Sequence, residues 1–173
     1  SAEQANLQAK QAIIDELRVI MGDNYDGDTS RNTLTDKLAE LRGRWQEIGH
    51  VPFKLKDVIY DEFRQLLRDV EKKYDLRQTR ARRAEFEANV AGMAGNPGKL
   101  NRERDRLVRA LEAKRADLAT YSNNLGFLSF KSKGGESMLR EMERRMERLR
   151  DEIKSLEEKI ELVDKTETST DKA

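Results

Sequence analysis

Eight apolar residues near the C-terminal end, Leu139, Met142, Met146, Leu149, Ile153, Leu156, Ile160 and Val163, follow one another at spacings of 3, 4, 3, 4, 3, 4 and 3. A run of this kind leaves little choice of fold. Alternation of three and four is the mark of an α-helix that buries one narrow stripe against another helix, and most residues between the stripe positions are charged. A partner stripe precedes it. Leu100, Leu107, Leu111, Leu118, Tyr121 and Leu125 share one heptad frame, with Arg104 and Lys114 as polar intrusions. The two segments are similar in length and separated by the short stretch 122–135, so they are expected to pair antiparallel as a coiled-coil hairpin over 99–165.

Composition points the same way. Charged residues make up 39% of the 173 positions and hydrophobic ones 36%. That is too polar for a thick core but suits long helices that each bury one stripe. The strict periodicity argues against disorder, the other state of such compositions. A net charge of +1 gives no bulk attraction to nucleic acid or membrane. The chain has no Cys, which excludes a disulfide framework and thiol chemistry and makes the cytoplasm the expected compartment. No apolar run approaches the ~20 residues that cross a bilayer. The chain opens on Ser1 and enters helical pattern at once, as a fragment of a longer protein would.

The N-terminal half predicts three helices. Leu7, Ile13, Ile14, Leu17, Ile20 and Met21 give the first an apolar face over 4–21, and the polar stretch 22–32 reads as a loop. Thr33 and Asp36 stand where a capping box would open the second helix, whose stripe is Leu34, Leu38, Leu41, Trp45 and Ile48. Gly49 and Pro52 stop it. The third begins near 55–57, with Leu55, Ile59, Phe63, Leu66, Val70 and Tyr74 as its buried face, and continues to about Val90. Three Gly and one Pro within 92–98 break the helix, and the domain boundary is expected there. The polar stretch 166–173 reads as a disordered tail.

The segment from Trp45 to Arg64 holds the only Trp and the only His of the chain. Trp45, Ile48, Val51, Phe53, Ile59 and Phe63 are expected to pack a helix–turn–helix corner. Lys54 and Lys56 stand at the start of the third helix, where cations oppose the helix dipole unless something anionic binds nearby. The pattern W-x-x-I-G-x-V-P-x-K-x-x-D-x-I-Y-x-x-F-R, preceded by N-L-Q-A-K-Q-A-I-I-D-E-L, resembles the bacterial domain-of-unknown-function family numbered 349 over Asn6 to Val90. The hairpin, with Y-S-N-N-L-G-F-L-S-F-K-S-K, is similar to the C-terminal extension of members from the Bacteroides group. The resemblance implies a helical, bacterial protein carrying one copy of the family unit, and it implies no activity.

Other chemistry is absent from the sequence. Placing Gly27 at the sixth position of a calcium loop puts Gly22 at the first and Thr33 at the twelfth, where acids are needed. One His cannot build a transition-metal cluster, and no phosphate-binding or nucleophile-elbow motif occurs. Residues 54–115 carry 17 Lys or Arg against 11 Asp or Glu, whereas residues 136–173 carry 9 against 12. The two blocks complement each other as flanks of a hairpin seam. Alternatively, Arg64, Arg68, Lys72, Arg80 and Arg83 form a phosphate-binding face. At the hairpin tip Leu125, Phe127, Leu128 and Phe130 are apolar where turns are polar; they either plug the hairpin or dock a partner.

The chain is therefore expected to be all-α: a three-helix N-terminal unit over 1–91, a Gly/Pro linker over 92–98, a long antiparallel coiled-coil hairpin over 99–165 and a tail over 166–173. It is expected to be no enzyme and to need no cofactor or metal. The expected role is protein interaction or scaffolding, with a protein partner or self-association and no membrane. The alternative is a nucleic-acid- or ribosome-associated factor using the basic middle. Candidate partner- or anion-binding residues are Trp45, Lys54, Lys56, Arg64, Arg80, Arg83, Phe127 and Phe130.

Overall fold

The structure, a computed structural model, describes residues 1–128 and 135–171. The protein is all-α. The helices are α1 (Ala2–Met21), α2 (Arg31–Glu47), α3 (Lys56–Lys73), α4 (Arg77–Ala91), α5 (Pro97–Leu128) and α6 (Gly135–Asp171), with a 3-10 turn at Phe53–Leu55. The described residues contain no strand. They divide into two compact units, 1–81 and 82–173.

In the first unit α1 and α3 run side by side in the same direction. Arg18 pairs with Glu62, and Lys73 donates to the Met21 carbonyl at 2.8 Å. α2 runs the opposite way: Asn6 reaches the His50 carbonyl at 2.8 Å and Arg44 reaches Glu16 at 2.8 Å. The stripes read from the sequence meet in one core that includes Ile13, Leu17, Leu38, Leu41 and Val70. α2 starts three residues earlier than a Thr33 cap would place it, with Ser30 at the N-cap. Its opening turn is organised by Asp28, whose carboxylate accepts from the Ser30 amide at 2.8 Å and the Thr33 hydroxyl at 3.2 Å.

The expected single helix from residue 55 to Val90 is broken between Lys73 and Arg77. Asp75 adopts φ 56°, the Leu76 amide donates to the Glu71 carbonyl at 2.9 Å, and the Asp75 amide donates to Lys72 at 3.4 Å. These are the two bonds of a Schellman stop, with Asp in the left-handed position where Gly is usual. Leu76, just past it, is 1% exposed and belongs to the first core.

The two compact units divide between Ala81 and Arg82, inside α4, and the Gly/Pro stretch 92–98 lies in the second. That stretch is a tight turn within the second unit. Gly95 takes φ 81°, and Asn96 caps α5 by accepting the Lys99 amide on its side chain at 3.1 Å, with Pro97 at the first helical position. The turn folds α4 back so that Val90, with Phe86 and Met93 beside it, joins Leu100, Leu107 and Val163 in a second core. Along α5 and α6 the ion pairs Arg104–Asp164 (2.8 Å), Lys114–Glu152 (2.8 Å) and Arg115–Glu157 (3.2 Å) show that one helix descends as the other rises. Met146, Leu149 and Val163 of the α6 stripe are buried, and Leu139, Met142, Ile153, Leu156 and Ile160 are half-buried. The expected tail from Thr166 is helical through Asp171: the Thr166 and Thr168 hydroxyls bond back to the Leu162 and Asp164 carbonyls at 2.8 and 3.0 Å.

Candidate functional site: an apolar corner and groove on the N-terminal unit

Trp45 lies in the core at 7% exposure, its ring stacked on Phe63 at 4.0 Å with 4° between the planes. The Lys10 ammonium sits 4.9 Å from the ring centroid. Burial pushes this ammonium below its ordinary value, and the charge of Lys56 lowers it further. Trp45 is thus a packing residue that positions the corner.

After α2 the chain runs extended through Ile48 and Pro52, buries Val51, and makes its 3-10 turn. That turn decides the site. Sequence periodicity placed Phe53 in the core, but it is 89% exposed. Val58 is 64% exposed and Leu55, also expected in the buried face, is 40% exposed. The buried stripe of α3 is instead Ile59, Phe63, Leu67 and Val70. Isolated apolar residues on a surface are common, but adjacent ones around a depression mark contact sites.

A depression is present. A groove of about 280 Å³ runs between α1 and α3, floored by Leu7, Ile14, Leu55, Val58 and Ile59. Asp15, Arg18 and Glu62 close one end, where Arg18 is paired with both acids. The other end lies at Leu55, between Lys54 and Lys56 in the chain; both lysines are exposed and neither makes an ion pair among the described residues. α3 begins there with no side-chain cap, so the two cations face the positive end of the helix dipole, offset in part by Asp57 in its first turn.

The remaining candidate residues are not brought to this place. Arg64 lies over the Tyr60 ring at 5.5 Å. Arg80 bonds Glu71 at 2.9 Å, a carboxylate that also holds Arg42 at 3.1 Å. Arg83, on the second unit, bonds Glu158 at 3.1 Å. Phe130 and the side chain of Phe127 lie outside the described residues. Among the described residues no three His, Asp or Glu side chains converge on a metal-sized site, and no helix is long and apolar enough to cross a membrane.

Residues 1–54 match the model of the family described as Domain of Unknown Function (DUF349). Over that stretch the chain is similar to this family. The match takes in α1, α2 and the corner as far as Lys54, so the D-x-I-Y-x-x-F-R half of the sequence pattern lies beyond it. The α1 wall of the groove and Phe53 therefore lie within the matched stretch, whereas Leu55, Val58 and Ile59 follow it. No curated protein and no solved structure matches the chain. The family description assigns no function.

Proposed function

We propose that this protein is a non-enzymatic interaction module that docks a protein partner on the α1–α3 groove, whose exposed lining residues Leu55 and Val58 follow the exposed Phe53 closely in the chain. The observation that carries this reading is the 89% exposure of Phe53 beside two further exposed aliphatic residues. Each of these side chains forgoes, in proportion to its exposure, part of the about 1.5–3 kcal/mol that full burial of a residue of this size contributes. A partner that covers them recovers it. The absence of Cys suits the cytoplasm as the working compartment. The nucleic-acid alternative is weakened by Arg80 and Arg83, whose guanidinium groups are engaged by Glu71 and Glu158.

The test is capture with the whole chain as bait. Phe53→Ser combined with Val58→Asp should abolish capture while the melting temperature stays within a few degrees of the parent, because both side chains are exposed. An unchanged set of captured proteins would overturn the reading.

A further inference from the structure

The groove is open on the side of α1 and α3 that α2 does not cover, and its chemistry selects an occupant. Its α1 wall is set by Leu7, Gln11, Ile14 and Arg18, which recur at spacings of 4, 3 and 4 and so form one face about three turns long. The apolar part of this wall, from Leu7 to Ile14, spans about two turns and fits the i, i+3/i+4, i+7 anchors of an amphipathic helix, with Arg18 at its polar end. Two other common peptide modes do not fit. Strand addition needs a sheet edge, and the described residues contain no strand. Proline-rich segments need an aromatic-lined trough, and the groove floor is aliphatic.

Charge narrows the choice further. Lys54 and Lys56 flank the groove-lining Leu55 in the chain, both exposed and without an ion pair among the described residues, and Lys10 of α1 lies close enough for the Lys56 charge to act on it. At the opposite end one Arg faces two acids, Asp15 and Glu62. The apolar sequence 125–130 of a second copy is a poor occupant: Lys131 and Lys133 follow Phe127 and Phe130 in the chain, which would bring like charge to the lysines.

We infer that the α1–α3 groove takes an amphipathic helix of a partner protein, with a stripe of aliphatic residues in the trough and a cluster of Asp or Glu over Lys54 and Lys56. The inference rests on the docking reading above and adds the shape and charge of the partner.

The probe is a fluorescein-labelled designed helix of about 18 residues, with Leu at i, i+4, i+7 and i+11 and Glu in the turn that reaches the lysines. A second helix carries Lys in place of those Glu residues. With the full chain, the Glu helix should bind at least about tenfold more tightly than the Lys helix, and Lys54→Glu with Lys56→Glu should invert that order. Val58→Asp should weaken the Glu helix at least about tenfold without shifting the melting temperature. Equal binding of the two helices, or no binding of either, would overturn the inference. A single-stranded RNA that binds and displaces the Glu helix would overturn it in favour of nucleic acid. A concentration-dependent dimer lost in Val58→Asp would overturn it in favour of a second copy. If the Phe53→Ser, Val58→Asp variant loses captured proteins yet the two helices bind equally, docking stands and the acidic partner falls.

Discussion

Phe53 and Phe63 stand on either side of the start of α3 and meet opposite fates. Phe63 is 4% exposed and stacked on Trp45, whereas Phe53 is among the most exposed large apolar side chains of the molecule. Phe63→Ala should therefore cost about 3–5 kcal/mol in urea unfolding, and Phe53→Ala should stay within about 0.5 kcal/mol of the parent. A large loss from Phe53→Ala would mean that its ring is packed. Lys159 gives a second residue-scale expectation. Its ammonium lies 5.3 Å from the Phe86 ring; burial pushes it below its ordinary value of 10.5, and Arg106, Arg83 and Arg82 add to the shift against the opposing pull of Glu103. A lysine that holds its proton less tightly when folded destabilises the fold while charged. That cost is present at neutral pH and fades as the pH rises through the lowered value toward 10.5. Lys159→Met keeps the apolar stem and a sulfur against Phe86. It should be at least as stable as the parent at pH 7, and the parent should gain on it as the pH climbs into the alkaline range. Urea midpoints of both proteins at two pH values check this; a gap that widens with pH would refute it.

At the scale of elements, the stop between α3 and α4 is the most informative feature. Its hydrogen bonds are those of a glycine-terminated helix, but Asp75 occupies the position with φ 56°. A side chain in that region costs free energy that glycine avoids, though Asp tolerates it better than most. Asp75 also pairs with Arg31 at 3.0 Å, but both side chains are more than half exposed and such pairs contribute little. Relief of backbone strain should therefore win, and Asp75→Gly should stabilise the first unit by about 0.5–1 kcal/mol. A loss of stability in that variant would show that the Arg31 pair outweighs the strain. The same stop explains how one continuous stretch of helical periodicity serves two units. It lets α3 finish in the first core, with Leu76 as the last anchor, and frees α4 to carry Val90 into the second.

For the whole molecule the decisive quantity is how its charges are spent. The chain carries 34 Lys or Arg and 33 Asp or Glu, and the basic α5 faces the acidic α6 through pairs such as Arg104–Asp164 and Lys114–Glu152. Cations already neutralised within the protein release no counterions from a nucleic acid. Single-stranded RNA should therefore bind no more tightly than about 10 µM at physiological salt, with a shallow salt dependence. A fluorescence-anisotropy titration at two salt concentrations measures both. Submicromolar affinity that persists in salt and is lost in the Arg80→Glu, Arg83→Glu double variant would replace the interaction reading with the nucleic-acid one.

The sequence by itself determined whatever depends on local periodicity. The 3/4 spacing of Leu34, Leu38, Leu41 and Trp45, and of the stripe ending at Val163, is enough to make helices and to name most of their buried faces, because 3.6 residues per turn brings those positions to one side of the backbone. Gly49 and Pro52 likewise fixed where α2 stops, and the motif around Trp45 pointed to the family whose model matches residues 1–54. Only the tertiary structure decided which apolar residues remain in water. Phe53 is as hydrophobic as Phe63, and its exposure follows from a single 3-10 turn whose direction is set by packing of Val51 and Ile59 on either side. It also decided the break at Asp75, since an Asp in the left-handed region carries no glycine signal, and the membership of α4, since Phe86 and Val90 find partners on α5 and α6 that lie far off in sequence. The groove belongs to this second class: its two walls come from helices separated by the whole of α2, and no spacing within either one reveals that they stand side by side with one face uncovered.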